Sequence, residues 1–430
     1  MADPGMSVTP YWELTFDADG DVDGTERDRL LTQAAERGVR DLIVFSHGWN
    51  NDRSDATALY RRFFAPVPKL APKARIGYAG VIWPSMRFGD EPIPDFPRSP
   101  AAGAAPRSAL DEETRRALSK AFPGRTAVLD RLARLLDERP AGDEGTAEFG
   151  RLVRLLPEPD GRQTVADTDE AGEPAVFTCD PVTACEQFAE ALAALEPAAD
   201  SAAFGLPDPW DGAKELLRQA TYYQMKRRAG TVGEHGLGPL LGRLAKAAPG
   251  VRVHLVGHSF GGRLVAFALR GLPGPVRTVK SVTVLQGAFS HYVFAARLPH
   301  AADRSGALKD AQRRVDGPVV CSHSHFDTAL GTIYPLASRL AGDDRSCTGT
   351  EIAAVLGRRW GALGHDGAQA VPDTARLDLA AALGGGLPAS GCVNVDASAV
   401  VRRGGAPVGA HSDIVHPELA RLVLAAGRIA

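Results

Sequence analysis

Apolar residues follow two rhythms along this chain. Leu42-Ile43-Val44-Phe45 is a continuous apolar run, the pattern of a strand buried on both faces. Residues 11–17 (YWELTFD) alternate instead, as an edge strand does. Further strands are predicted from Ile76 to Trp83, closed by Pro84, and at 251–256, 279–285, 319–322 and 393–400. Helical spacing appears at about 25–37, 212–229 and 237–248, and again after residue 260, where Leu264, Val265, Phe267 and Ala268 share one face. A last helix starts at Pro417 and carries Leu419, Leu422 and Val423 on one side. Proline suits that first-turn position. Strand, helix, strand at such intervals predicts parallel βαβ units and an α/β fold.

The rhythm breaks between Arg87 and about Asp211, where no strand is evident. Three amphipathic stripes stand there: Val128, Leu129, Leu132, Leu135 and Leu136; Phe149, Leu152, Val153 and Leu156; and Phe188, Ala189, Leu192 and Leu195. Their 3.6-residue period predicts helices, and the polar stretch 157–175 predicts a loop. The expected organisation is a first core part over 1–86, a helical insertion over 87–210, and a second core part over 211–430 with a further insertion at about 335–390. A separate helical bundle is the alternative for 87–210.

Composition narrows the function classes. A length of 430 residues with 44% hydrophobic content suits one large α/β domain with insertions, or two domains. The net charge of −3 offers no general attraction for nucleic acid or acidic membranes. The five cysteines, Cys179, Cys185, Cys321, Cys347 and Cys392, are scattered with no CxxC pair, so neither a disulfide framework nor a zinc knuckle is expected. Cys321 and Cys392 fall in strand-like runs and are expected as buried thiols. The N-terminal segment lacks the basic and apolar regions of a signal peptide, and no apolar run reaches membrane-span length. A cytoplasmic setting is the expectation.

The chemistry is concentrated at residues 251–264, VRVHLVGHSFGGRL. Gly257-His258-Ser259-Phe260-Gly261 is a Gly-x-Ser-x-Gly nucleophile elbow in strand–turn–helix context. The glycines remove Cβ atoms that would clash at the sharp turn, and they let the following helix pack close to the sheet. A serine hydroxyl needs a general base within reach, and the base needs an orienting acid. Behind such an elbow the order is serine, acid, histidine. Asp327 stands just past the predicted strand at 319–322, at the strand end where open α/β sheets place their sites. Its alternative role is a helix N-cap. Asp396 is the other acid, inside the next strand. His411 lies in the loop before the terminal helix and is the candidate base; His416 reads as a cap or surface residue, and Asp413 as a local loop partner. Oxyanion donors are expected from the Phe260 amide and from Ser46-His47-Gly48-Trp49 after an early strand, through the amide of Trp49 or Gly48.

Together these motifs resemble the α/β-hydrolase superfamily of serine esterases, lipases and related acyl hydrolases. The resemblance covers about 40–90 and 210–430. It implies an eight-stranded, mostly parallel sheet flanked by helices, a Ser259–His411–Asp327 triad, and a variable helical cap at 87–210. The function it implies is cleavage of a carboxylic ester or related acyl compound through an acyl-enzyme. The apolar stripes of the insertion suggest a partly hydrophobic cavity and hence a small-molecule acyl substrate that is medium or large and partly apolar; no cofactor and no metal are expected. Acyl transfer by the same triad, or a non-catalytic binding protein on this fold, are the alternatives. The interval of 84 residues from Asp327 to His411 departs from the family pattern. Other signals read more plainly. His323-x-His325-x-Asp327 could be a metal cluster, His258 a packing residue or local hydrogen-bonder, Lys226-Arg227-Arg228 a solvated helix end, and Tyr222, Tyr223 and Met225 either pocket or core.

Overall fold

The computed structural model describes residues 5–49, 51–86, 88, 109–157, 167, 180–195, 207–330, 361–404 and 409–430. Most of the polar stretch 157–175, Cys179, Cys347 and the Arg358–Trp360 part of the second insertion lie outside them. Eight strands form a single sheet: β1 (Tyr11–Thr15), β2 (Asp41–Ser46), β3 (Ile76–Ile82), β4 (Arg252–His258), β5 (Val279–Leu285), β6 (Pro318–His323), β7 (Ala375–Asp378) and β8 (Gly391–Asp396). Their order is β1-β3-β2-β4-β5-β6-β8-β7. Every neighbouring pair is parallel.

Helices α1 (Gly24–Glu36), α2 (Arg53–Phe64), α3 (Val67–Leu70), α4 (Glu112–Ala121), α5 (Thr126–Glu138), α6 (Asp143–Val153), α7 (Pro181–Leu195), α8 (Pro209–Thr231), α9 (Gly238–Ala247), α10 (Phe260–Gly271) and α11 (Pro417–Gly427) accompany it. The continuous apolar strands are buried on both sides. Leu42 and Val44 of β2 join one buried cluster with Leu217 of α8, Leu241 of α9 and Leu264 of α10. Ile43 and Phe45 join the opposite cluster with Phe63 of α2 and Leu419 of α11. The alternation of side chains along a strand explains the split.

Chain order places the site. After β2 the sheet grows through β3 towards β1, whereas β4 and its successors lie on the other side of β2. The β2/β4 boundary is therefore the topological switch point. There the loops leaving the two strand ends diverge and open a crevice.

Three local differences from the sequence expectation have physical causes. β7 lies inside the range expected as a second insertion; it is a four-residue edge strand whose side chains alternate between half-buried and exposed. β8 ends at Asp396, because the Asp396 carboxylate accepts the Ser398 amide and turns the chain. α8 and α9 run on through a π-helical turn, Val232–Leu237.

The basic run 226–228 is not a solvated helix end. It sits within α8, where Arg228 is buried and donates to the Pro84 and Ala121 carbonyls. Lys226 pairs with Asp167 at 2.6 Å, and Arg263 of α10 pairs with the same carboxylate at 3.1 Å. Burial alone would raise the Asp167 pKa, but the two cations hold it below the usual carboxylate range. Asp167 comes from the region between α6 and α7, so this cluster ties the 87–210 region to the core. The α5, α6 and α7 stripes extend the same attachment: Leu132, Phe149 and Phe188 join the cluster that covers the sheet. Removing one partner strands buried charge. Asp167→Asn is expected to cost about 3–5 kcal/mol of stability, read from urea unfolding at pH 7. A loss under about 1 kcal/mol, the size of an exposed pair, would mean that the two cations are solvated. Since the folded pKa is depressed, this contribution is present above the unfolded value of about 3.9 and is lost as pH falls through the folded one.

Candidate active site

Ser259 follows β4 and caps α10 with φ +54° and ψ −121°. A non-glycine residue in that region stores about 1–3 kcal/mol of strain. The strain is held by the Ser259 amide donating to the Leu285 carbonyl at 3.1 Å and by the Gly262 amide donating to the Ser259 carbonyl at 3.0 Å. Gly261 has to be glycine: a Cβ there would stand 2.0 Å from the Ser46 carbonyl oxygen.

His411 and Asp327 converge on this serine across large stretches of sequence. The His411 Nε2 lies 2.9 Å from Ser259 Oγ, and its Nδ1 lies 2.7 Å from Asp327 Oδ2. A carboxylate only accepts, so Nδ1 carries the proton. Nε2 then presents its lone pair to the serine hydroxyl, as a general base must. Asp327 is fully buried. Its other oxygen, Oδ1, accepts the Leu330 amide at 3.1 Å. The two roles weighed for this residue, histidine partner and cap, are thus both present, one on each oxygen.

The remaining acids and histidines go elsewhere. Asp396 accepts from Ser398. Asp413 accepts the Arg402 and Arg403 amides and pairs with His416 at 2.8 Å. His325 Nδ1 lies 2.9 Å from Ser398 Oγ. His325 and Asp327 therefore have different hydrogen-bond partners, Ser398 and His411, and no metal-holding group of three His, Cys, Asp or Glu is found among the described residues. Cys321 and Cys392 are buried free thiols, and burial pushes the Cys392 thiol up to about 12.

The Ser46–Trp49 loop lies directly over the serine. A Cβ on Gly48 would come within 2.8 Å of Ser259 Cβ, so only glycine permits the approach. Several side chains fix this loop. The Tyr60 hydroxyl accepts the His47 amide at 2.9 Å, the Trp83 indole donates to the His47 carbonyl at 2.9 Å, and the Asn51 amide donates to the Trp49 carbonyl at 3.0 Å. The His47 ring stacks on Trp83, 5.5 Å between centroids. Nothing in the sequence marked Tyr60, Asn51 or Trp83 as loop supports, because no local pattern links them to residue 47. Among the described residues, the amides of Gly48, Trp49 and Phe260 donate to no protein acceptor.

The Trp49 ring is partly buried against two core aromatics. Trp49 lies 6.1 Å from Phe260 and 5.8 Å from Tyr222, and Tyr222 lies 4.8 Å from Phe260. Tyr222 and Met225 are both buried in the core, Tyr222 against Phe260. Phe326, next to Asp327, is 42% exposed.

No protein-family model matches the chain, and no curated protein and no solved structure matches it. No helix among the described residues is long and apolar enough to cross a membrane.

Proposed function

We propose that the chain is a serine hydrolase of the α/β-hydrolase type, cleaving a carboxylic ester or related acyl compound. One observation carries this: a continuous Ser259–His411–Asp327 hydrogen-bond relay, with links of 2.9 and 2.7 Å, set at the switch point of a parallel sheet. In this mechanism Ser259 Oγ attacks the substrate carbonyl as His411 Nε2 takes its proton. The tetrahedral oxyanion is held by the Phe260 amide together with that of Trp49 or Gly48. His411 returns the proton to the leaving alkoxide, the carbonyl re-forms, and the acyl group stays on Ser259. Water, deprotonated by the same histidine, attacks the acyl-enzyme; the histidine passes that proton to the departing Ser259 Oγ, and the acid is released. Asp327 keeps the imidazole in the required tautomer throughout.

The half-buried Trp49 ring, two residues after His47 in the loop over the serine, favours an apolar acyl or alcohol group. The close Ser259–His411 approach speaks against a purely binding role for this fold. A fluorophosphonate probe, followed by peptide mapping, tests the proposal. Labelling is expected at Ser259, with hydrolysis of short acyl esters that disappears in Ser259→Ala. An unlabelled wild type, or full turnover by Ser259→Ala, would refute it. Adding a competing alcohol to the same assay and analysing products separates hydrolysis from acyl transfer.

A further inference from the structure

We propose that His258 is a positioning residue: its Nε2–H clamps the main chain of His411 and holds the imidazole in register with Ser259. The inference rests on the triad proposed above. His258 Nε2 lies 2.8 Å from the His411 carbonyl oxygen. A carbonyl only accepts, so Nε2 must carry the ring proton. The two imidazoles stand 5.0 Å apart between centroids. Burial disfavours the charged ring and lowers the His258 pKa to about 3, so the tie is made by a neutral ring whose single proton sits on Nε2.

The placement makes the clamp specific. His258 is the last residue of β4 and directly precedes Ser259, so its anchor is the elbow itself. The histidine loop is pinned on its other side by the Ala410 amide, which donates to the Phe326 carbonyl at 2.9 Å, one residue before Asp327. The main chain at 410–411 is therefore strung between the acid loop and the elbow. With the elbow-side tie cut, the Asp327 contact still holds the ring by Nδ1, but the Nε2-to-Oγ distance is free to lengthen. The same ring also backs the oxyanion loop, since a Cβ on Gly48 would stand 3.1 Å from His258 Nδ1. A histidine chosen only for packing would not require a donor at Nε2.

Three substitutions separate clamp from filler. Gln places an N–H at nearly the reach of histidine Nε2, Asn is too short, and Leu fills space with no donor. His258→Asn and His258→Leu are expected to lower kcat on a short acyl ester by roughly 10- to 100-fold, the scale of an ångström-level misplacement. KM should change little, because the lost interaction acts on the transition state. Fluorophosphonate labelling of Ser259 should slow in parallel, and His258→Gln should recover most of both rates. Comparing Asn with Gln keeps the test valid if the Leu variant does not fold. If wild type labels at Ser259 and the Asn and Gln variants label equally fast, the clamp is wrong and the triad stands. A loss seen only in KM, or one that Gln fails to restore, also overturns it. If wild type does not label at all, the triad proposal fails first and the clamp falls with it.

Discussion

Asp327→Asn is expected to lower kcat by about ten-thousand-fold while the protein remains folded. The reason lies in the separate duties of the two carboxylate oxygens. Oδ1 accepts the Leu330 amide, and the asparagine carbonyl can keep that bond. The asparagine NH2 would then face His411 Nδ1. Two donors cannot face each other, so the imidazole is driven to carry its proton on Nε2. That nitrogen would point a hydrogen at Ser259 Oγ and could not take one from it. The geometry survives and the base does not. Asp327→Ala should lose comparable activity and also the cap, at a further cost of about 1 kcal/mol. Steady-state turnover gives the first comparison, and urea unfolding of the two variants gives the second. Should Asp327→Asn keep more than roughly a tenth of wild-type kcat, the histidine would not depend on this acid for its tautomer.

How much of this was legible in the sequence varies with the range of the interaction. The Leu42–Phe45 run disclosed a strand buried on both faces, because its period is local. The elbow disclosed the sharp turn at Ser259 for the same reason: the glycines demanded by the turn lie within two residues of that serine. Asp327 and His411 could be found only by expecting an order along the chain, and they meet across intervals of 84 and 152 residues. β7 escaped because a short edge strand, ARLD, has no apolar run to betray it. Its pairing with β8 comes from the sheet edge rather than from its own residues. Lys226 and Arg228 misled because charge in a helix usually faces solvent; only the fold reveals Asp167 and the two carbonyls that receive them. His258 was visible as a residue but not as a clamp. Its partner is a main-chain carbonyl, which no side-chain pattern encodes.

Acid sensitivity is the second large effect, and it follows from the same packing. His47 and His258 are both buried, and burial lowers their pKa values to about 4 and about 3. In the unfolded chain a histidine titrates near 6.5. Between pH 6.5 and 4, then, the unfolded state binds protons that the folded state refuses. Stability is full above about pH 6.5 and falls as pH drops through that window. Each of the two histidines removes about 2 kcal/mol between pH 7 and 5, together about 4 kcal/mol, a sizeable share of an ordinary domain's stability. His254 and His323 are also lowered by burial and act in the same sense. Asp167, whose folded pKa is depressed, weakens the fold only below this range. Urea midpoints at half-unit pH steps from 7 to 5 should therefore decline steadily, and replacing His258 with Gln should flatten the slope by about one proton. Unfolding free energies that stay level over that interval would show that both rings take up protons in the folded state.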